Sequence, residues 1–117
     1  MPSMKLSAPI VIGALLAGCL LIPAVSARAQ TQVFSLTIRD HKFDPVELEV
    51  PAGQKIELRV KNLDPTPEEF ESTSLRREKV IPGGQQTTIL IGPLAAGRYE
   101  FFGEFHPKTT RGAVIAK

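Results

Sequence analysis

The sequence predicts an all-β domain, a Greek-key β-sandwich of six or seven short strands. Apolar residues alternate with polar residues in short runs, as expected of strands with one buried face. Turn residues rich in Gly and Pro separate these runs at intervals of about ten residues, which is typical of sandwiches. No segment shows a convincing apolar periodicity of an amphipathic helix. The pattern favours an antiparallel sandwich.

The individual strands are predicted from this alternation. Ile56, Leu58 and Val60, for example, alternate with three charged residues that face outward. The predicted strands lie at residues 33–38, 43–50, 56–60, 80–81, 87–91, 98–102 and 113–116. The only long connection runs from Asn62 to about Lys79, and we expect a short helical turn at Ser74–Glu78 within it.

Residues 1–29 have the features of a signal peptide. Lys5 is followed by an almost uninterrupted apolar stretch, Leu6–Ala24, and Ala27–Ala29 forms a cleavage site. We therefore expect cleavage after Ala29, a mature domain of residues 30–117 and a periplasmic location. A retained membrane anchor is one alternative. Another is a lipoprotein anchored at Cys19, whose lipobox is followed, unusually, by further apolar residues.

Charge and cysteine content exclude several functions. The chain has 14 basic and 12 acidic residues, and two of the basic ones lie in the leader, so the mature domain is formally neutral. Without a basic stripe, nucleic-acid binding is not expected. Cys19 is the only cysteine, which leaves the mature domain without a thiolate ligand or nucleophile. No hydrolase, P-loop or zinc-protease motif is present, so no catalytic residues are predicted and binding is favoured over catalysis.

Three places carry side chains that can bind a metal ion: the acidic part of the long connection, the loop that holds Glu104 and His106, and His41 at the end of the first strand. In a Greek-key sandwich the first two can meet at one end, which would bring Glu68 or Glu71 close to His106. The simpler interpretation is that the acidic residues form a solvated surface and that His41 is a surface histidine.

Two segments resemble the two halves of a cupredoxin. The first has Asp40, Phe43, Pro45 and the residues up to Gly53 at the expected spacing, and the second is Gly97–Pro107. Cupredoxins hold a mononuclear copper ion with one His from the middle of the chain and a Cys, a His and usually a Met near its end. These four positions fall on Glu68, Gly103, His106 and Thr109.

A type 1 copper centre needs a copper–thiolate bond, and the mature domain contains no thiol, so such a centre is excluded. Oxygen ligands in place of sulfur favour harder ions such as Fe(III), Cu(II) or Mn(II). The segments Pro65–Ser72, Arg77–Lys79 and Phe101–Pro107 resemble a subgroup, the small periplasmic cupredoxin-like proteins found with bacterial high-affinity iron permeases. That resemblance implies binding of iron or copper and its delivery to a permease in the inner membrane.

The sequence thus predicts a metal-binding protein of an iron-uptake system, with iron or copper as its metal. The candidate ligands are Glu68 and His106 first, Glu104 and Glu71 next, and Glu69 and His41 last. Two alternatives remain open: a copper-dependent ferroxidase component, and a metal-free interaction module. A homodimer that completes the coordination shell also remains open.

Overall fold

The structure is a computed structural model that describes residues 31–117, together with Ser3, Met4, Gly13 and Gly18. Apart from these four residues, the predicted signal peptide lies outside the described residues, as do the cleavage site after Ala29 and Cys19. Among the residues described, no helix has the length and apolarity needed to cross a membrane.

The described part of the chain contains nine strands and no helix, which confirms the all-β fold class. The strands are β1 (Gln32–Arg39), β2 (Lys42–Asp44), β3 (Glu47–Val50), β4 (Ile56–Asn62), β5 (Glu68–Ser72), β6 (Arg77–Ile81), β7 (Gln86–Ile91), β8 (Gly97–Phe102) and β9 (Arg111–Ala116). The predicted strand at 43–50 is two strands, because the chain leaves one sheet at Pro45 and enters the other at Glu47.

The strands form two mixed sheets, and the prediction of an antiparallel sandwich is wrong in this respect. One sheet has the order β2-β1-β4-β7 and the other β3-β9-β8-β5-β6. Strands β1 and β4 pair in parallel, as do β3 and β9, whereas the other pairs are antiparallel. Alternation of apolar residues shows which face is buried, but strand direction depends on where the chain crosses between sheets.

The core lies between the two sheets and follows the predicted alternation. Leu36 and Ile38 of β1 and the three apolar residues of β4 are fully buried. Phe43, Phe70 and Phe101 meet at the centre, and the ring of Phe43 contacts the ring of Phe101 edge to face at 4.8 Å. Such edge-to-face pairs stabilise a core beyond the apolar area they bury.

The prediction of a long connection from Asn62 to about Lys79 is wrong over most of its length, because residues 68–81 form the hairpin β5–β6. The turn at residues 73–76 contains Arg76 at φ 55°, and the amide of Leu75 donates a hydrogen bond to Ser72 Oγ. The predicted helical turn at Ser74–Glu78 is therefore absent. Four of the five residues of β6 are exposed, and charged residues dominate the hairpin. These strands therefore lack the apolar alternation from which strands are predicted.

Candidate metal centre

His41, Glu68 and His106 meet at one end of the sandwich. Glu68 is fully buried, and its Oε2 lies 2.9 Å from His106 Nδ1 and 3.4 Å from His41 Nδ1. The two imidazole rings stack, with centroids 3.6 Å apart and an angle of 20° between their planes. Each residue offers one ligand atom, and these three atoms lie within 4.8 Å of one another.

His41 is held in a strained turn between β1 and β2. Asp40 and His41 have φ values of 51° and 56°, a region that L-residues rarely occupy. The carboxylate of Asp64 accepts hydrogen bonds from both of their backbone amides, at 2.8 and 3.0 Å. On the other side, Thr110 Oγ1 donates to the His41 carbonyl oxygen at 2.7 Å. These contacts fix His41 against the loop that carries His106.

The connection before Glu68 is folded around the buried side chain of Asn62. Its amide nitrogen donates to the carbonyl oxygens of Thr66 and Ile81, and its Oδ1 accepts the amide of Asp64 at 3.0 Å. Asn62 therefore sets the position of Asp64 and the point at which β5 begins. Glu68 is the first residue of β5, with its side chain directed towards the two histidines.

The loop between β8 and β9 is closed by its own backbone and carries His106. The amide of Gly103 donates to the Thr110 carbonyl oxygen, and the amide of Thr110 donates to that of His106. A Cβ atom at residue 103 would lie 2.6 Å from Glu68 Oε1 and 2.7 Å from Thr110 Cγ2. Glycine is needed here because the Glu68 carboxylate fills the space that a side chain would occupy.

Asp64 is the charged group beside this cluster. Burial raises its pKa, but hydrogen bonds from the His41 and Asp40 amides and the charges of His41 and His106 outweigh burial, so the pKa is lowered. Its Oδ2 also lies 3.6 Å from His41 Nδ1. Asp64 therefore stays ionised and places a negative charge beside the two histidines, which favours a bound metal ion.

The donor set suits a transition metal ion. Imidazole and carboxylate ligands lie about 2.0–2.2 Å from a bound ion, so ligands on opposite sides are separated by about 4.4 Å. The distances from Glu68 Oε2 to His106 Nδ1 and His41 Nδ1, 2.9 and 3.4 Å, already lie within this limit. Two histidines and one carboxylate are the ligands of many non-haem Fe(II) sites, and imidazole also suits Cu(II).

Glu71 and Glu104 do not join this cluster but lie in a second one. Successive residues of a strand point to opposite faces, so Glu69 and Glu71 face away from Glu68. Together with Glu78 and Glu104 they place one ligand atom each within 4.8 Å of the others. Burial, a hydrogen bond with Glu78 and the charges of Glu104, Glu71 and Glu78 raise the pKa of Glu69 to about 7.

Comparison with known families identifies the frame that carries this site. The sequence profile of the cupredoxin-like domain matches residues 12–116 of the chain. The chain belongs to the cupredoxin-like domain family. It is also 48% identical, over 80 residues, to the uncharacterized protein RP394 of Rickettsia prowazekii (strain Madrid E). The match covers 68% of this chain and 64% of that protein, which is less than two thirds of its length.

Solved structures support the cupredoxin fold. Auracyanin A, a blue copper protein of Chloroflexus aurantiacus, matches with a TM-score of 0.64 and 15% identity, covering 75% of this chain and 100% of that one. The metal-binding domain of the Cu(I)-exporting P-type ATPase CopA of Streptococcus pneumoniae matches with a TM-score of 0.61 and 17% identity, covering 73% and 84%. An amicyanin mutant in its reduced state matches with a TM-score of 0.57 and 22% identity, covering 74% of this chain and 82% of that one.

The cupredoxin frame explains which predicted residues the structure brings together. Glu68 and His106, at the positions matched to the two cupredoxin histidines, lie in direct contact. Gly103, at the cysteine position, has no side chain, and the Glu68 carboxylate occupies the space that one would fill. The sequence interpretation underrated His41, whose place beside Glu68 is set by its turn and by Asp64. The only sequence feature that pointed to His41 as a ligand was its place, next to Asp40, at the end of a predicted strand.

Proposed function

We propose that this chain is a periplasmic protein that binds iron or copper at His41, Glu68 and His106 and delivers it to an iron-uptake system. One observation carries the proposal: two histidines direct Nδ1 towards the same carboxylate oxygen of a fully buried glutamate. Burying a carboxylate is costly unless positive groups or donors surround it. A metal ion bound between these three side chains would neutralise that charge.

The donor chemistry favours iron or Cu(II) over Cu(I). None of the residues in the cluster carries sulfur, and the only cysteine of the chain, Cys19, precedes strand β1 in the sequence. A site of nitrogen and oxygen donors selects against soft Cu(I), which prefers thiolate and thioether ligands. A histidine nitrogen must be free of its proton before it can bind a metal ion, so binding should weaken at low pH.

The exposure of the site is compatible with transfer of the metal. The side chains of His41 and His106 are 39% and 38% exposed, whereas that of Glu68 is 1% exposed. A metal ion would therefore rest on the buried carboxylate and be reached from solvent on the histidine side. Three protein ligands leave coordination positions free, and a partner or a second copy of this chain can supply further ligands there.

We propose a high-affinity iron permease of the inner membrane as that partner. The support is the resemblance of Pro65–Ser72 and Phe101–Pro107 to the cupredoxin-like proteins found with such permeases. Both segments border the cluster, since they contain Glu68 and His106. The same exposed histidine face would then serve both loading and delivery.

The experiment is a metal titration of protein expressed as the full chain and purified from its host. Calorimetry with Cu(II), and with Fe(II) under anaerobic conditions, should show one equivalent bound at this cluster with micromolar or better affinity. His106→Ala should weaken binding by about tenfold or more, because a first ligand is lost. Arg98→Gln, at an exposed ion pair with Glu47 on the second sheet, is the matched control and should bind normally.

Three outcomes would count against this proposal, and two of them favour an alternative function. Unchanged affinity in His106→Ala overturns the assignment of the site. Absence of any metal-dependent rise in Tm in the wild-type protein favours a metal-free interaction module, because a ligand bound only by the native state must raise Tm. In air-saturated buffer, faster oxidation of Fe(II) by dissolved oxygen in the presence of one equivalent of Cu(II) indicates a ferroxidase component instead of a carrier.

A further inference from the structure

We propose that Glu69, Glu71, Glu78 and Glu104 form a second cation site, separate from the histidine cluster, that binds a hard multivalent cation through oxygen ligands alone. This carboxylate site belongs to the outer face of the second sheet. Its members come from three segments: β5, β6 and the loop after β8. The proposal is independent of the metal that the histidine cluster binds.

The register of the hairpin brings three of the four carboxylates together. Glu71 of β5 pairs directly with Glu78 of β6, and Glu69 lies two residues from Glu71 on the same face. Like charges at directly paired positions destabilise a hairpin. Glu104 then approaches from the loop that follows β8, which brings a fourth carboxylate to the same point.

Buried oxygen atoms without partners point to a ligand. Glu69 is only 2% exposed, and its Oε1 has no hydrogen-bond partner among the described residues. The same holds for Oε2 of Glu71. A buried carboxylate oxygen left unpaired costs free energy, and such atoms are rare in native proteins. Both oxygens belong to side chains of the carboxylate site, where a bound cation could satisfy them.

No basic side chain neutralises this cluster within the described part of the chain. The ion pairs of those residues involve Glu47, Glu49, Glu57, Glu68, Glu100 and Asp64, and none involves the four carboxylates of the site. Arg77, on β6 next to Glu78, donates instead to the carbonyl oxygens of Leu90, Leu75 and Arg76. The four carboxylates therefore lack a protein counter-ion.

The dimensions and chemistry of the site fit a hard cation. One oxygen from each glutamate lies within 4.8 Å of the others. An ion with ligands at about 2.2 Å holds opposed oxygens about 4.4 Å apart, so a slight contraction suffices. Carboxylate-only sites suit ions such as Mn(II), Ca(II) or Fe(III), whereas Cu(I) is disfavoured. Glu69 forms the buried base, and exposed Glu78 and Glu104 form the rim through which the ion enters.

The test uses Mn(II), followed by electron paramagnetic resonance, on metal-free protein expressed as the full chain. Free Mn(II) gives a strong six-line signal that decreases on binding. We expect one equivalent bound in the wild-type protein and at least about tenfold weaker binding in Glu69→Gln, because one ligand charge is removed without loss of volume. Glu100→Gln is the matched control, an exposed carboxylate on the same sheet with an Arg98 partner. It should bind Mn(II) like the wild type.

His106→Ala distinguishes the two sites. If the carboxylate site is separate, this variant keeps its Mn(II) equivalent while its binding at the histidine cluster is reduced. Loss of Mn(II) binding in His106→Ala, or full binding in Glu69→Gln, overturns the proposal, as does a wild-type protein that fails to bind Mn(II) at millimolar concentration. A cooperative thermal unfolding transition of metal-free Glu69→Gln would show that the variant is folded. Folding is expected, because the substitution keeps the volume of the side chain and reduces the repulsion between carboxylates.

Discussion

Glu68 is fully buried, whereas its two histidine partners are partly exposed. We therefore expect substitution of the histidines and substitution of Glu68 to destabilise the metal-free protein to different extents. Replacing both histidines by alanine removes the two Nδ1 atoms that lie 2.9 and 3.4 Å from the carboxylate of Glu68, which is fully buried in the wild-type protein. Replacing Glu68 by glutamine leaves two histidines whose side chains are more than a third exposed and can bind water. The double histidine variant should therefore be the less stable of the two.

The magnitudes follow from general values for buried charges. Removing the partners of a buried charge costs about 3 kcal/mol or more. Glutamine keeps the volume of Glu68 and one acceptor oxygen, so Glu68→Gln should cost only about 1 kcal/mol, the value of one hydrogen bond. Asparagine places its amide close to the position of histidine Nδ1. The control His41→Asn/His106→Asn should thus recover most of the stability lost in the double alanine variant.

Urea unfolding in the presence of a chelator measures these differences. With an m-value of about 1 kcal/mol/M for a domain of this size, the midpoint should fall by about 3 M in the double alanine variant and by about 1 M in Glu68→Gln. Metal binding should be weakened in all three variants, including the asparagine control. A Glu68→Gln variant at least as destabilised as the double alanine variant would refute the reasoning.

Two further predictions concern neighbouring positions. The pKa of Glu69 is raised from 4.5 to about 7 in the folded protein. Between these two pH values the folded state holds a proton on Glu69 that the unfolded state has lost. The free energy of unfolding of the metal-free protein should therefore fall as pH rises through this range. The loss amounts to about 3 kcal/mol, and Glu69→Gln should abolish it, as denaturant titrations at pH 4.5 and 7.5 on both proteins would show. Gly103→Ala should cost about 1–3 kcal/mol and weaken metal binding, because the added Cβ meets Glu68 Oε1 at 2.6 Å. Thermal unfolding would check the loss of stability, and calorimetry would check the loss of metal affinity.

The core of the sandwich could be predicted because it depends on alternation within each strand. Ile56, Leu58 and Val60 are all fully buried, as the period of two required. The direction of pairing could not be predicted in the same way. Strands β1 and β4 are parallel because the chain crosses to the other sheet and returns between them, and no local pattern records that crossing.

The division of the candidate ligands into two clusters was missed for a related reason. While residues 68–72 are assigned to a loop, nothing prevents Glu68 and Glu71 from both approaching His106. Once they form a strand, their odd separation places them on opposite faces. Charged residues dominate β5 and β6, so the hairpin carries little of the apolar signal by which strands are recognised.

The position of His41 depends on contacts that are distant in the sequence. Its turn has positive φ angles, held by the carboxylate of Asp64 and by the hydroxyl of Thr110. Asn62 in turn positions Asp64. The family spacing predicted Glu68 and His106, but only this chain of hydrogen bonds brings His41 to the same carboxylate oxygen.

The central claim is that His41, Glu68 and His106 together bind a transition metal ion. The most direct measurement is pulsed electron paramagnetic resonance of the protein loaded with one equivalent of Cu(II), which counts coordinated imidazoles. We predict two imidazoles in the wild-type protein and one in each of His41→Ala and His106→Ala. A wild-type spectrum without imidazole coupling, or one unchanged by both substitutions, would contradict the assignment of the site.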